Sequence, residues 1–247
     1  MSKIDINCDM GEKSGFDLDI IPFISSANIA CGYHAGDAET MKETISMAVL
    51  HQVNIGAHPG YDDKENFGRT ELGYENKRII DLILRQLHDF NSIAKNEGAV
   101  MKYVKLHGAM YNRAAADPLL AEEIFTEVRK EYPAVYHLAL SMSPMVKKAQ
   151  EMGIPCYNEV FADREYNEDG SLVSRNIKGA VIENTSYLRK RTIQMIMENT
   201  VFSFNNRKIP LMCESICVHG DSKMAVEIAA AVNKSLKEAG IRIESII

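Results

Sequence analysis

Four of the seven histidines in the chain follow short apolar runs and stand next to or near glycines. The imidazole group exchanges a proton close to neutral pH and is also a common metal ligand. A lone buried histidine is usually a core residue, but four in the same sequence context indicate one shared site. They are His34, His58, His107 and His219, whereas His51, His88 and His137 lack that context and are interpreted as surface or packing residues.

Polar side chains alternate with apolar ones in the first apolar run of the chain. Asp5, Asn7 and Asp9 occupy every second position, and alternate residues of a β-strand share one face. Buried polar groups are costly unless they are paired or functional. Asp5 and Asn7 therefore fit either a hydrogen-bonded core or a site, whereas Asp9, near Gly11 at the end of the run, is predicted to be functional.

Cationic side chains lie close to the histidines in the sequence. Lys105 and His107 are two residues apart, which predicts a shared strand face. A lysine inside a barrel needs an acidic partner or binds an anion. Arg69 follows another histidine segment, and the adjacent Asp163 and Arg164 form either an ion pair or part of the site.

Two further clusters extend the candidate site. His219 and Asp221 have the same spacing of two at the end of an apolar run, which predicts a coupled acid–base or orienting pair. The segment Ser25–Asp37 contains Asn28 and His34 ahead of an amphipathic stretch. Asp37 fits the N-cap of the helix that this stretch predicts.

Short apolar runs and amphipathic stretches alternate along the chain, which is typical of strands and helices in turn. Apolar residues recur at every third or fourth position in Asn76–Glu97 and Ser222–Ala239, so both are predicted helices. Weaker patterns predict helices around Ile45 and Thr192. The predicted strands are Lys3–Cys8, Ala27–Cys31, Val53–Ala57, Tyr103–His107, Val135–Leu140, Pro155–Glu159, Gly179–Glu183, Ile216–His219 and Arg242–Ile246.

This alternation predicts an α/β fold with a parallel sheet and helical crossovers. No linker composition divides the chain, so residues 1–247 are predicted to form one domain. The Rossmann fingerprint G-x-G-x-x-G and the phosphate loop G-x-x-x-x-G-K-[ST] are missing, which favours a β/α barrel over an open nucleotide-binding sheet. In such barrels the chemistry lies at the carboxyl ends of the strands.

Composition narrows the classes of function. The net charge of −6 argues against a nucleic-acid binder, which needs a basic face. No run approaches the roughly 20 apolar residues of a membrane span, and the first ten residues contain no signal-peptide core. The five cysteines have no paired spacing, so we expect free thiols and a cytoplasmic location.

Six segments of the chain, in order, resemble the family formed by the A subunits of 5-oxoprolinase, also called lactam-utilisation proteins. The resemblance implies a distorted seven-stranded β/α barrel similar to glycoside hydrolases and deacetylases. Leu106 and Thr70 depart from the usual proline and arginine, which affects only fine substrate positioning. The segments are DINCDMGE (residues 5–12), SANIACGYHAGD (26–37), GAHPGYDD (56–63), VKLHGAMYN (104–112), FADREY (161–166) and CVHGD (217–221).

The resemblance also implies an activity and partners. Together with subunits B and C, such a chain opens the lactam of 5-oxo-L-proline to L-glutamate and couples this to hydrolysis of ATP, supplied with Mg²⁺ to the complex. Without a phosphate loop here, ATP binding is expected on a partner chain. The possibility of a homo-oligomer stays open. The residues expected to act in catalysis are Asp9, His58, Lys105, His107, His219 and Asp221, and those expected to bind substrate are Asn7, Asn28, His34, Arg69, Asp163 and Arg164.

Two alternatives remain at this stage. A metal-dependent hydrolase or deacetylase that cleaves a C–N bond or a saccharide amide could bind a divalent ion with Asp9, His34 and His58. The helical H-x-x-x-H spacing of deacetylases is missing, and no metal is firmly predicted. The second alternative is a silent subunit that binds 5-oxoproline or partners without catalysing a step.

Overall fold

The computed structural model describes residues 3–246. Seven parallel strands close into a barrel in the order β1-β2-β3-β4-β5-β6-β9, and β9 pairs again with β1. The strand bounds are β1 Lys3–Met10, β2 Ser26–Ala30, β3 Asn54–His58, β4 Tyr103–Lys105, β5 Tyr136–Leu140, β6 Cys156–Phe161 and β9 Ser215–Val218. The predicted β/α barrel is thereby confirmed.

Helices cover the outside of the barrel between most successive strands. They are α1 Asp17–Ile20, α2 Ala38–Leu50, α3 Asn76–Asn96, α4 Gly108–Ala116, α5 Pro118–Glu131, α6 Pro144–Met152, α7 Thr185–Glu198 and α8 Ala225–Glu238. Ile79, Ile83, Leu87 and Phe90 on α3 are fully buried, as the spacing predicts. Within residues 3–246, none of the helices is long and apolar enough to cross a membrane.

Helix α2 begins where its sequence places the cap. The Asp37 side chain accepts a hydrogen bond from the backbone nitrogen of Thr40, 2.9 Å away. This bond satisfies one of the free N–H groups of the first turn. The capping interpretation of Asp37 is confirmed, and the helix holds the end of the preceding loop, which carries His34.

Three elements differ from the sequence expectation. Gly179–Glu183 is not a strand, because only Val181 pairs, in an isolated antiparallel bridge to Arg164. The last predicted strand shortens to β10 Arg242–Ile243, which pairs with the start of β1 outside the closed ring. An antiparallel hairpin, β7 Thr200–Phe202 and β8 Lys208–Pro210, lies outside the barrel sheet and was not predicted.

Candidate active site

The deepest polar layer of the barrel surrounds Asp5. Its Oδ1 accepts hydrogen bonds of 2.7 Å from both Ser25 and Ser26, and its Oδ2 accepts one from Ser215. Burial raises the pKa of Asp5, and the three hydroxyl bonds oppose this rise. Asp5 therefore ties three strand segments together, which supports its structural interpretation.

Asn7 and Asn28 form the next layer and lie beneath Asp9. Asn28 Nδ2 donates to Asn7 Oδ1 at 2.7 Å and to Asp9 Oδ1 at 2.8 Å. The Tyr103 hydroxyl donates to Asn28 Oδ1 at 2.7 Å. The Tyr103 ring packs directly against Gly56, where a Cβ atom would lie only 2.2 Å from a ring carbon, so the position needs glycine. Both amides are fully buried outside the cavity lining, and their hydrogen bonds hold Asp9 in place.

Lys105 projects from β4 into the centre of the barrel. Its Nζ lies 2.7 Å from Asp9 Oδ1, 3.0 Å from Glu159 Oε1 and 3.1 Å from Cys217 Sγ. Burial alone would lower the pKa of Lys105, but its acidic neighbours, Asp9 foremost, raise it well above its ordinary value. The ammonium group is therefore charged and has the acidic partners that the sequence argument requires.

Asp9 is ionised despite its burial. Burial would raise its pKa, but the charges of His58 and Lys105 outweigh this and hold the pKa well below its ordinary value. Its second oxygen, Oδ2, lies 3.4 Å from His58 Nε2. A carboxylate with a low pKa is a weak base, so its contacts suit an orienting role better than proton abstraction.

His58 and His107 meet through their ring nitrogens. His58 Nδ1 lies 2.8 Å from the carbonyl oxygen of Lys105, and His107 Nε2 lies 2.9 Å from that of Phe67. Because a carbonyl oxygen only accepts, both of these nitrogens carry the hydrogen. The opposite nitrogens, His58 Nε2 and His107 Nδ1, lie 2.9 Å apart. In neutral rings both of them present a lone pair to the other.

Glu12 and His34 complete the histidine cluster. Glu12 Oε1 lies 3.4 Å from His34 Nε2 and 3.5 Å from His107 Nδ1. The His34 ring stacks on the His107 ring, with centroids 3.8 Å apart and planes 5° apart. Burial lowers the pKa of both histidines and raises the pKa of Glu12, to which the charge of Asp9 adds. His34 is buried behind His107, outside the cavity lining.

His219 pairs with Asp163 and not with Asp221. Its Nδ1 lies 2.8 Å and 2.9 Å from the two carboxylate oxygens of Asp163. Burial would raise the pKa of Asp163, but the charge and hydrogen bond of His219, together with the charges of Arg175 and Arg164, lower it. The predicted His219–Asp221 pair is wrong, because β9 ends at Val218 and the two-residue alternation does not continue beyond it. Asp163 thus contacts the imidazole of His219 through both carboxylate oxygens.

Arginines form a cationic group at the edge of the site. Asp221 bonds Arg69 Nη2, and Arg175 Nη1 lies 3.3 Å from the same Asp221 oxygen. Arg164 Nη2 donates to the carbonyl oxygen of Val173 at 2.6 Å, and its buried Nε has no hydrogen-bond partner among the described residues. Burial, together with the charge of Arg175, lowers the pKa of Arg164 to about 10. The guanidinium groups of these arginines can therefore still bind an anionic ligand.

These side chains border one cavity of about 770 Å³ at the carboxyl ends of the strands. That volume suits a small ligand. The cavity lining brings together carboxylates, imidazoles and guanidiniums that lie far apart in the sequence. Among the residues discussed above, those that line it are Asp9, Glu12, His58, Arg69, Lys105, His107, Arg164, Arg175 and His219.

Two residues at this site were missed by the sequence interpretation. Glu12 lies inside a recognised segment but stands beyond the alternating run. Glu159 closes a predicted strand with no glycine or histidine nearby, and its signal is that Lys105 needs an acidic partner.

The cluster able to hold a metal differs from the expected one. Among residues 3–246, Glu12, His34, His58 and His107 each offer a ligand atom within 4.8 Å of the others. Asp9 instead groups with Cys217 and His219. The expected set of Asp9, His34 and His58 is therefore not formed, because Asp9 is drawn to Lys105 and Asn28.

Comparisons with known proteins agree over almost the whole chain. Residues 4–247 match the profile of the LamB/YcsF family. A protein from Clostridium beijerinckii, named as the A subunit of 5-oxoprolinase, is 43% identical, covering 98% of this chain and 97% of that protein. A Bacillus subtilis protein of the same name is 39% identical, covering 100% and 98%.

Solved structures agree with the barrel. The lactam utilization protein from Thermus thermophilus superimposes with a TM-score of 0.90 at 30% identity, covering 99% of this chain and 100% of that one. A family 4 carbohydrate esterase from Streptomyces lividans gives a TM-score of 0.54 at 10% identity, covering 100% and 93%. The second likeness shows a shared fold and confirms the expected similarity to deacetylase barrels.

Proposed function

The chain belongs to the LamB/YcsF family, and from that premise we propose that it is the A subunit of an ATP-dependent 5-oxoprolinase. In this proposal it opens the lactam of 5-oxo-L-proline to L-glutamate with subunits B and C in the cytoplasm. Relatives named for this subunit match nearly the full chain, which supports the proposal. The observation that carries it furthest is a small cavity where Asp9, three imidazoles and three arginines meet.

The substrate's chemistry explains why such a set is useful. A five-membered lactam resists attack by water, and its opening is uphill unless it is coupled. Phosphorylation of the lactam oxygen makes the ring carbon electrophilic, and the added phosphate and the carboxylate bring negative charge. Cations that meet this charge act as electrostatic stabilisers. The chain would receive the phosphorylated lactam from an ATP-binding partner.

Each part of the site has a role in that reaction. Asp9, held ionised by Lys105, orients the attacking water together with His58 or His107. Water attacks the ring carbon and gives up a proton, the C–N bond breaks, and the ring nitrogen takes up a proton. A second water molecule then hydrolyses the resulting acyl phosphate, which releases phosphate and L-glutamate. His219, oriented by Asp163, is placed to supply that proton.

The cationic group would bind the anionic ends of the substrate. Arg69 and Arg175 share Asp221, so their planes are already fixed before a ligand arrives. Arg164 has an unused Nε. Guanidiniums match carboxylate and phosphate oxygens in a two-point geometry. Asp221 thereby changes from an expected acid–base residue to one that positions arginines.

Reconstitution tests this function. The chain is combined with candidate subunits B and C, each chain is omitted in turn, and 5-oxoproline, glutamate and ADP are followed together. We expect glutamate only when all three are present, and His219→Ala in this chain should abolish it while the exposed His51→Ala should not. Full glutamate production without this chain would contradict the proposal.

A further inference from the structure

The pair His58 and His107 presents an unusual electrostatic arrangement. Backbone carbonyls fix the hydrogen of each ring on the nitrogen that points away from the other ring. Two lone pairs then face each other across 2.9 Å. Two acceptors repel at this distance unless a proton or a metal ion lies between them.

We propose that His58 Nε2, His107 Nδ1 and Glu12 bind one divalent metal ion of the zinc type, with a further position open to the cavity. Metal–ligand bonds of about 2.0–2.1 Å at tetrahedral angles set ligand atoms roughly 3.3 Å apart. The two nitrogens are 2.9 Å apart, and Glu12 Oε1 is 3.5 Å from His107 Nδ1. Two imidazoles and one carboxylate with an open position are a donor set of catalytic zinc sites.

The surroundings of the two rings support this assignment. Histidines that bind a metal usually donate the hydrogen of their other nitrogen to a carbonyl or carboxylate, which fixes the ring. The carbonyls of Lys105 and Phe67 fill that role here. Glu12, His58 and His107 all line the cavity, so an ion at this point can be reached by water and substrate.

His34 stays outside the ligand set. Its ring is parallel to the His107 ring at 3.8 Å, so a single ion cannot lie in both ring planes at bonding distance. His34 Nε2 instead faces Glu12 Oε1 at 3.4 Å and positions that carboxylate. Asp9 is also outside, since its ligand atoms group with Cys217 and His219 and not with Glu12, His58 and His107.

An ion at this position would lower the pKa of a water molecule in its open site. That consequence for lactam opening rests on the proposed function, whereas the binding of the ion does not. Metal binding and 5-oxoproline turnover are therefore measured separately.

The first experiment uses the full chain and Zn²⁺ alone. The protein is treated with a chelator, checked for folding by circular dichroism, and titrated with Zn²⁺ by calorimetry, with the bound metal measured by elemental analysis. We expect one ion per chain. Glu12→Gln and His107→Gln should weaken Zn²⁺ binding by at least about 10-fold, because that is the loss seen when only a hydrogen-bond partner of a metal ligand is changed. The exposed His51→Gln should bind Zn²⁺ like the parent.

The second experiment separates a metal ion from a proton between the rings. Imidazole ¹⁵N spectra of the parent chain report which nitrogens carry hydrogen, with no variant that could misfold. With Zn²⁺ we expect His58 to keep hydrogen on Nδ1, His107 to keep it on Nε2, and the two facing nitrogens to shift.

Three results would decide against the site. The first is that the folded chain binds no Zn²⁺. The second is that the Glu12 and His107 variants bind Zn²⁺ as tightly as the parent. The third is that one of the two rings carries hydrogen on both nitrogens and that Zn²⁺ does not change this. A chain that binds Zn²⁺ at these residues but fails in the reconstituted reaction would support the metal site and contradict the proposed function.

Discussion

Lys105 and Glu159 form an ion pair on the barrel axis, with Nζ 3.0 Å from Oε1 and both side chains almost fully excluded from water. They come from β4 and β6, which are not neighbours in the sheet. The same ammonium group also bonds Asp9 at 2.7 Å. One buried cation therefore links the carboxylate at the end of β1 to a carboxylate that no histidine or glycine marks in the sequence.

Removing this cation should destabilise the protein strongly. Lys105→Met leaves Asp9 and Glu159 buried without their partner, and breaking a buried pair in this way costs about 3–5 kcal/mol. Urea unfolding of the variant and the parent measures the difference.

A second variant provides the control for that loss. Lys105→Met combined with Glu159→Gln should recover part of the stability, because one uncompensated charge is removed. The exposed pair of Lys208 and Glu198 is the surface comparison, and Lys208→Met should change stability little because water screens it. Equal stability of Lys105→Met and the parent would show that the pair is not formed.

The contact between His219 and Asp163 predicts which acid residue supports catalysis. Asp163→Asn removes the carboxylate that orients the ring and should lower kcat by about 100-fold or more, within the range for general acid–base groups. Asp221→Asn should mainly raise KM, since it releases the arginines. Steady-state kinetics of the reconstituted complex separates the two. If Asp221→Asn lowered kcat and Asp163→Asn mainly raised KM, the result would instead support the pairing of His219 with Asp221 that the sequence spacing suggests.

His137 should govern part of the acid sensitivity of the fold. Burial beside Phe125 lowers its pKa to about 4, below the ordinary value of about 6.5. Between these values the unfolded chain binds a proton that the folded chain does not. Stability from this group is therefore complete above pH ~6.5 and falls by about 3 kcal/mol as the pH drops to ~4.

Urea unfolding at several pH values measures that effect. His137→Leu should flatten the loss of stability over this range, whereas His88→Leu at an exposed site should leave the slope as in the parent. An unchanged slope in His137→Leu would mean that the ring is accessible to protons in the folded state.

The arginine group predicts a binding effect. Arg69→Gln removes a charge-assisted contact worth about 1.5–3 kcal/mol, which corresponds to a rise in KM for 5-oxoproline of about 10- to 100-fold. Arg189→Gln, which disrupts an exposed pair with Glu238 and a hydrogen bond to Ser235, both outside the cavity lining, is the matched control. Similar KM values for both variants would place the substrate elsewhere in the cavity.

Sequence patterns predicted the barrel well because its strands are short apolar runs separated by helices with clear apolar faces. They also gathered Asp9, Lys105, His58 and His107 correctly at the strand ends, since carboxyl ends of parallel strands meet at one rim. The roles of these residues stay predictions.

The sequence patterns gave wrong predictions where the direction of a side chain depends on the residue at which its strand ends. The alternation used to pair His219 with Asp221 stops at Val218. The Gly179–Glu183 run is apolar enough for a strand, but only one of its residues pairs. Glu159 could not be found by spacing, because its partner lies in another strand and only the closed ring brings them together.

The seam between β1 and β9 has a consequence for synthesis of the protein. Asp5 aligns with Ser215 and Asn7 with Cys217 across it, so β1 waits for a strand that is synthesised after all the other strands of the barrel. Until then a growing chain carries an open sheet edge, which is prone to unwanted pairing. A ribosome that pauses before residue 215 therefore leaves β1 and β6 without the strand that joins them.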